Sequence, residues 1–385
     1  MWFIPTQSAA NMALKASLQN NTTKQKVSLA RPQIDVVFAL DTTGSMGGLI
    51  QAAKQKIWSI ASSMASANNA PDIRMGLIAY RDRGDQYVTY KVDLTQDLDK
   101  MYAQLMKFQA SGGGDGPESV NQALYEAVNT MGWRNNTNTY KTVFLIGDAP
   151  PHMNYQNDVP YSETIKLARK KGIVINTIQC GNLRATKYPW MQIAQLSQGE
   201  YFNVNQTGSA VAINTPFDKS IAQLSAKMDH SVIAYGDKAS RAKLNNKMKT
   251  TQLLEDKLSI PAKARRAQFN QSKSGKNNNR AKNDLIHQLN NGVIKIEDIK
   301  TKDLPATLAS LPAPKRQRVL EEKMEQRQQV QQELDKVIAK RKQFLEKEVA
   351  KLGGLKGSLD AKIYHSIKKQ AKEKGIQYKK DNPQY

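Results

Sequence analysis

The sequence predicts an α/β fold with a doubly wound, mostly parallel sheet, followed by a mainly helical, basic extension. Apolar runs typical of buried strands alternate with segments of helical apolar spacing over residues 33–236. The first run, residues 34–40, is almost continuously apolar, as expected for a parallel strand that is covered on both faces. Beyond residue 236 the amino-acid composition becomes more basic, and charged segments with helical apolar spacing dominate. These observations favour one α/β domain followed by helices.

The order of the patterns identifies the individual elements. The predicted strands cover residues 34–40, 73–80, 87–92, 142–147, 173–179 and 201–204. The predicted helices cover residues 49–64, 98–108, 119–131, 162–171, 190–196 and 217–233. Strands that alternate with helices form a parallel sheet with helices on both faces, because each crossover returns over the sheet.

Charge divides the 385 residues near Gly236. Residues 1–236 hold 22 basic and 17 acidic residues, whereas residues 237–385 hold 35 and 17. The pattern predicts four parts: a disordered N-terminal segment, an α/β domain, a basic linker and a basic helical region. They are assigned to residues 1–32, 33–236, 237–282 and 283–385.

The longest predicted helix covers residues 314–352 and is followed by a short basic helix at 359–374. Its apolar spacing drifts off a heptad, and Arg341 and Glu348 fall in the apolar seam. This drift favours a helical hairpin or an imperfect coiled coil over a long regular zipper.

Composition excludes several classes of site. The single cysteine, Cys180, excludes an internal disulfide framework and a cysteine-built zinc site. The four histidines are scattered, and no apolar run is long enough to span a membrane. A bound metal would therefore need oxygen ligands.

Three oxygen-rich loops follow the predicted strands. Asp41, Thr43 and Ser45 come directly after the first strand, Glu118 ends a glycine-rich loop, and Asp148 ends the fourth strand run. In open α/β sheets ligands bind beyond the carboxyl ends of the strands, and hard divalent cations prefer such oxygens. The Asp-Thr-Thr-Gly-Ser stretch alone also fits a helix cap with a turn, but the three loops together predict a site for Mg²⁺, Mn²⁺ or Ca²⁺.

The run from about residue 33 to 204 resembles a von Willebrand factor type A domain, a Rossmann-like fold. Residues 41–45 match the Asp-x-Ser/Thr-x-Ser element of its metal-ion-dependent adhesion site. The loop 115–118 looks like the Asp-x-Pro-Glu loop of integrin β-subunit domains, which implies that Glu118 is a ligand and Asp115 a candidate ligand for a neighbouring second ion. Asp148 matches the family's aspartate on the fourth strand. The basic extension is only loosely similar to those of uncharacterised bacterial members.

The resemblance implies a non-enzymatic protein-binding module for adhesion or scaffolding, in which a bound Mg²⁺ takes an acidic residue of a partner. The alternative is a nucleic-acid or anionic-surface binder that acts through the basic region. A metal-dependent hydrolase ranks last, because no nucleophile–base pair is evident.

The remaining motifs favour structural interpretations. His152 is predicted to be a surface or packing residue, Cys180 a small core residue, and the Arg83-Gly84-Asp85 tripeptide a chance match. The first ten residues look like the end of a signal peptide, although a disordered cytoplasmic segment fits as well. Export, to the periplasm or the cell surface, is slightly favoured.

Overall fold

One six-stranded sheet organises the protein in a computed structural model, which describes residues 31–114, 116–208, 213–279, 283–352, 355 and 357–384. The strands are β1 (Gln33–Asp41), β2 (Asp72–Tyr80), β3 (Thr89–Thr95), β4 (Thr139–Gly147), β5 (Ile173–Cys180) and β6 (Tyr201–Val204). Their order is β3-β2-β1-β4-β5-β6, in which β3 is antiparallel to β2 and the other neighbours are parallel. The predicted doubly wound, mostly parallel fold is confirmed.

Helices cover both faces of the sheet and continue beyond it. Those between strands are α1 (Gly47–Ala65), α2 (Leu98–Leu105), α3 (Val120–Asn129), α4 (Tyr161–Lys170) and α5 (Arg184–Leu196). Those after the sheet are α6 (Asp218–His230), α7 (Lys238–Lys257), α8 (Ile260–Gln271), α9 (Lys273–Asn279), α10 (Leu285–Asn290), α11 (Ala306–Ala309), α12 (Ala313–Lys351) and α13 (Leu359–Ala371). None of the helices within the described ranges is both long and apolar enough to cross a membrane.

The alternation of side chains along β1 builds two cores. Phe38 and Leu40 point to one face of the sheet, where they pack with apolar side chains of α1 and α2. Val37 and Ala39 point to the other face, against α3, α4 and α5. The strand is apolar throughout because both of its faces are buried.

The helical extension is part of the first core. Leu254 of α7, Phe269 of α8 and Tyr364 of α13 are buried among the same side chains as Phe38. Residues 32–385 cluster as one compact unit. The predicted domain boundary at Gly236 therefore does not separate two bodies.

The predicted basic linker over residues 237–282 is wrong for the described part of that range, which forms α7, α8 and α9. Arg266 of α8 lies in the interior, with its guanidinium 2.6 Å from Asp99 of α2 and 2.8 Å from Asp229 of α6. Although burial alone would raise the pKa of Asp99, the charge of Arg266 holds that pKa below its usual range. The basic composition of this range predicted solvent-exposed arginines, whereas Arg266 is paired with carboxylates inside the protein.

The helix α12 extends unbroken over 39 residues, so the alternative of a helical hairpin is wrong. Its buried side contacts α6 and α10. Arg341, predicted in the apolar seam, is fully buried and pairs with Asp218 at 2.8 Å, and Arg327 pairs with Asp284 at 2.5 Å. The imperfect coiled coil stays a prediction. The N-terminal segment, residues 1–32, falls almost entirely outside the described residues.

Candidate metal centre

Backbone hydrogen bonds join the three loops at the carboxyl edge of the sheet. The loop after β1 is joined to the glycine-rich loop by the Gly44 N–H, which donates to the Gly112 carbonyl at 3.0 Å. The glycine-rich loop is joined in turn to the loop after β4, because the Glu118 N–H donates to the Pro150 carbonyl at 2.9 Å. The separation of the loops is thus fixed by main-chain contacts.

Two carboxylate oxygens in these loops are buried without a hydrogen-bond partner. Asp41 is fully buried, and its Oδ1 accepts from the backbone N–H (2.9 Å) and the hydroxyl (2.7 Å) of Thr43. Its other oxygen, Oδ2, has no partner, and the same holds for Oε2 of Glu118. Buried carboxylate oxygens are normally paired. These two oxygens therefore lack the hydrogen-bonding or positively charged neighbour that such an atom usually has.

A glycine leaves room beside the side chains of Glu118 and Thr43. Gly113 has φ +83°, a left-handed conformation that favours glycine. A Cβ at this position would lie 3.2 Å from Oε1 of Glu118 and 3.2 Å from Cβ of Thr43. Any larger residue would therefore enter the space between the two side chains.

The electrostatics of the loops disfavour the charged carboxylates. Burial, together with the negative charge of Asp148, raises the pKa of Asp41 to about 7, although its bonds to Thr43 oppose the shift. Burial and the charges of nearby aspartates, Asp41 first among them, raise the pKa of Glu118 to about 9. A bound cation would reverse both effects, because it stabilises the ionised forms.

Four of the predicted ligands line one cavity of about 410 Å³: Thr43, Ser45, Glu118 and Asp148. Asp41 does not line this cavity but lies behind Thr43, to which it is bonded. Asp115, the candidate for a second ion, lies outside the described residues. The structure thus brings together four of the five predicted ligands and connects the fifth to them.

Gln206 is a cavity residue that the sequence did not indicate. Its side-chain amide donates to Oδ2 of Asp148 at 2.5 Å and to the Ser45 carbonyl at 3.3 Å. It follows β6, and the parallel pairing of β6 with β5 brings it to this edge of the sheet. No local motif marks such a glutamine, so only the fold could reveal it.

The donor set fits a hard divalent cation that keeps several waters. Among the described residues, no group of three or more His, Cys, Asp or Glu side chains is arranged to hold a metal. Hydroxyls of Thr43 and Ser45 would therefore have to supplement the carboxylates, as oxygen-preferring ions such as Mg²⁺ allow. The unpartnered oxygens of Asp41 and Glu118 are consistent with this need.

Two other motifs have structural roles. His152 is buried, with its Nε2 3.2 Å from Asp82 and its ring stacked on Tyr155, which agrees with a packing role. In the Arg83-Gly84-Asp85 tripeptide, Arg83 pairs with Asp158 at 2.6 Å and Asp85 accepts from the Gly113 N–H at 3.1 Å. The tripeptide therefore supports the glycine-rich loop.

Residues 35–216 match the family model described as the von Willebrand factor A domain. A putative ariadne-like RING finger protein of Acanthamoeba polyphaga mimivirus is 29% identical over 31% of the chain and 11% of its own length. The alpha-protein kinase vwkA of Dictyostelium discoideum is 29% identical over 31% and 19%, and human von Willebrand factor A domain-containing protein 7 is 32% identical over 31% and 12%. The matched segment thus spans a tenth to a fifth of these relatives, which are viral and eukaryotic. The expected bacterial kinship stays a prediction.

Solved structures give weaker matches. Proximal thread matrix protein 1 from the mussel byssus has a TM-score of 0.36 and 17% identity, with 46% of this chain and 42% of that chain covered. The VWA domain of SpRpn10 has a TM-score of 0.35 and 15% identity, with 46% and 89% covered.

Proposed function

We propose that the von Willebrand factor A domain of this chain is a non-enzymatic protein-binding module whose binding requires a divalent cation. Domains of this family commonly act in metal-dependent protein interaction. The ion would be held by Asp41, Thr43, Ser45, Glu118 and Asp148, and Asp41 also orients Thr43 through its two hydrogen bonds. Mg²⁺ is the first candidate, and Mn²⁺ or Ca²⁺ would suit the same oxygens.

The observation that carries this proposal is the pair of unpartnered buried oxygens, Oδ2 of Asp41 and Oε2 of Glu118. Burial raises the pKa of both carboxyls, and the negative charges of neighbouring aspartates add to the shift. A divalent cation supplies that charge and, when bound, offers an open coordination position to a carboxylate of a partner protein. The chain's own residues hold the ion and leave the cavity open toward solvent.

The nearby nucleophiles argue for binding rather than catalysis. Cys180 lines the cavity but is fully buried, and burial raises the pKa of its thiol well above its ordinary value. Nε2 of His152 lies beside Asp82, and Nδ1 lies 2.9 Å from Oδ1 of Asn154. Neither group is therefore set up as a nucleophile–base pair.

Calorimetric titration of the full chain with Mn²⁺ tests the metal site. Asp148→Asn and Glu118→Gln should each weaken binding by more than about tenfold. Glu163→Gln, at an exposed carboxylate that pairs with Lys166, is the matched control and should bind as the wild type does. Unchanged affinity in both site variants would refute the metal site.

The protein-binding part of the proposal is tested by capturing proteins from an extract with the full chain as bait, once in Mg²⁺ and once in EDTA. A protein that the wild type retains in Mg²⁺, but that is lost in EDTA and is not retained by Asp148→Asn, supports the proposal. Retention that resists EDTA but falls steeply with salt would instead support the alternative, an anionic-surface or nucleic-acid binder acting through residues 237–385. Burial of Arg266, Arg327 and Arg341 removes three cations from that surface.

A further inference from the structure

Exposed apolar side chains are concentrated beside the candidate metal centre. Of the ten large apolar side chains that are exposed among the described residues, four lie between residues 183 and 196. They are Leu183 (50% exposed), Tyr188 (76%), Met191 (44%) and Leu196 (42%). Single exposed apolar residues are normal, but four on one short segment mark an interaction surface.

Three of these residues lie on one face of α5. Tyr188, Met191 and Leu196 follow helical spacing, and with Arg169 of α4 they line a groove of about 560 Å³. The remaining lining residues are glutamines. We call this surface, formed by Tyr188, Met191 and Leu196, the α5 face.

The opposite side of α5 fixes the position of this face relative to the metal ligands. The hydroxyl of Thr186 donates to the Asp148 carbonyl at 2.6 Å, and Nε1 of Trp190 donates to the Ala149 carbonyl at 3.1 Å. Leu183, just before the helix, lines the same cavity as Asp148. The candidate metal centre therefore lies at the N-terminal end of the helix that carries the α5 face.

The charge around the α5 face selects an acidic partner. Arg184 and Lys187 of α5 and Arg169 of α4 are exposed. The helix α5 contains no acidic residue. A segment that carries carboxylates beside large apolar side chains would be complementary to both features.

We propose that the α5 face docks a segment of a partner protein in which an acidic residue enters the metal cavity and a large apolar residue packs on Tyr188 and Met191. This inference rests on the proposed function and specifies its partner. Met191 lies eight positions after Leu183, which corresponds to a rise of about 12 Å along the helix axis. An extended segment covers that distance in about four residues. The two recognised side chains should therefore lie about four positions apart in the partner.

A displayed library of random linear peptides, selected on the full chain in Mg²⁺ and eluted with EDTA, tests the spacing. We expect enrichment of Asp or Glu with an aromatic residue, Leu or Met about four positions away. Metal-dependent selection of acidic peptides with no apolar preference would overturn this inference while leaving the proposed function intact. If the proposed function is wrong, the selected peptides should instead stay bound to the chain when EDTA is added.

One enriched peptide, made synthetically, tests the surface itself. Tyr188→Ala and Met191→Ala should each weaken its binding by about tenfold or more, because each removes a large apolar contact. Val293→Ala, at an apolar side chain that is 66% exposed outside the sheet, is the control and should change nothing. All three variants should bind Mn²⁺ as the wild type does. Wild-type peptide affinity in both α5 variants, or concentration-dependent self-association that Tyr188→Ala abolishes, would overturn the proposal, the latter in favour of a second copy as occupant.

Discussion

Replacing Arg266 with methionine should strongly destabilise the whole described unit. The guanidinium contacts Asp99 at 2.6 Å and Asp229 at 2.8 Å, and its side chain is 4% exposed. The substitution removes the guanidinium that neutralises both buried carboxylates. Breaking a buried pair in this way costs about 3–5 kcal/mol in the free energy of unfolding.

Urea unfolding followed by circular dichroism and by tryptophan fluorescence measures this loss. Fluorescence reports on the docking of α8, because the Trp58 ring lies 5.8 Å from that of Phe269. Arg318→Ala is the matched control: its side chain is 82% exposed and pairs only with Glu322, so we expect a change below about 1 kcal/mol.

Replacing all three charged residues with neutral ones separates the effect of charge on stability from the effect of packing. Adding Asp99→Asn and Asp229→Asn to Arg266→Met removes the two buried carboxylate charges as well, and most of the lost stability should return. The reasoning is refuted if Arg266→Met alone costs less than about 1 kcal/mol. It is also refuted if α8 unfolds in a separate transition that leaves the sheet at wild-type stability.

Three further outcomes follow from the metal centre and the extension. Without divalent ions, the free energy of unfolding should fall as the pH rises from the ordinary carboxyl range to about 9. The pKa values of Asp41 and Glu118 are raised in the folded chain, so the unfolded chain releases these two protons at lower pH than the folded chain does. Saturating Mg²⁺ should remove that slope in pH-dependent urea unfolding, and a slope unchanged by Mg²⁺ would contradict the assignment. Gln206→Ala should raise Mn²⁺ affinity about tenfold by calorimetry, because the amide no longer competes for Asp148; a lower affinity would mean that the glutamine oxygen is itself a ligand. Limited trypsin digestion followed by mass spectrometry should spare residues 238–271, and early cleavage there would mean that α7 and α8 are not docked.

The sheet was predictable because its strands are buried on both faces and therefore read as apolar runs. The helix α5 was predicted to begin at Trp190 but begins at Arg184, since Pro189 inside the helix resembled a boundary. The docking of α8 was missed because much of its interior contact comes from alanines and from Arg266. The helix α7 buries just three side chains, Leu244, Thr251 and Leu254, which gives a weak apolar pattern over its length. Charge pairing across distant elements leaves no periodic signal in a sequence.

The candidate site was predictable where its residues follow strands directly. Asp41 and Asp148 lie at strand ends, where topology alone brings them to one edge. Gln206 was not predictable, because its contact with Asp148 depends on how the loop after β6 turns back over the cavity. The placement of Asp41 behind the cavity likewise depends on its bonds to Thr43.

The long helix α12 has a mechanical consequence. Arg327 and Arg341 lie about 21 Å apart along its axis, and each is paired with an aspartate on a different element, Asp284 before α10 and Asp218 in α6. Sliding the helix by one turn, about 5.4 Å, would separate both pairs at once. Since each broken pair costs about 3–5 kcal/mol, α12 resists slippage along its axis. A pulling force applied along α12 would therefore be borne by α6 and by the segment at Asp284, to which these arginines are paired.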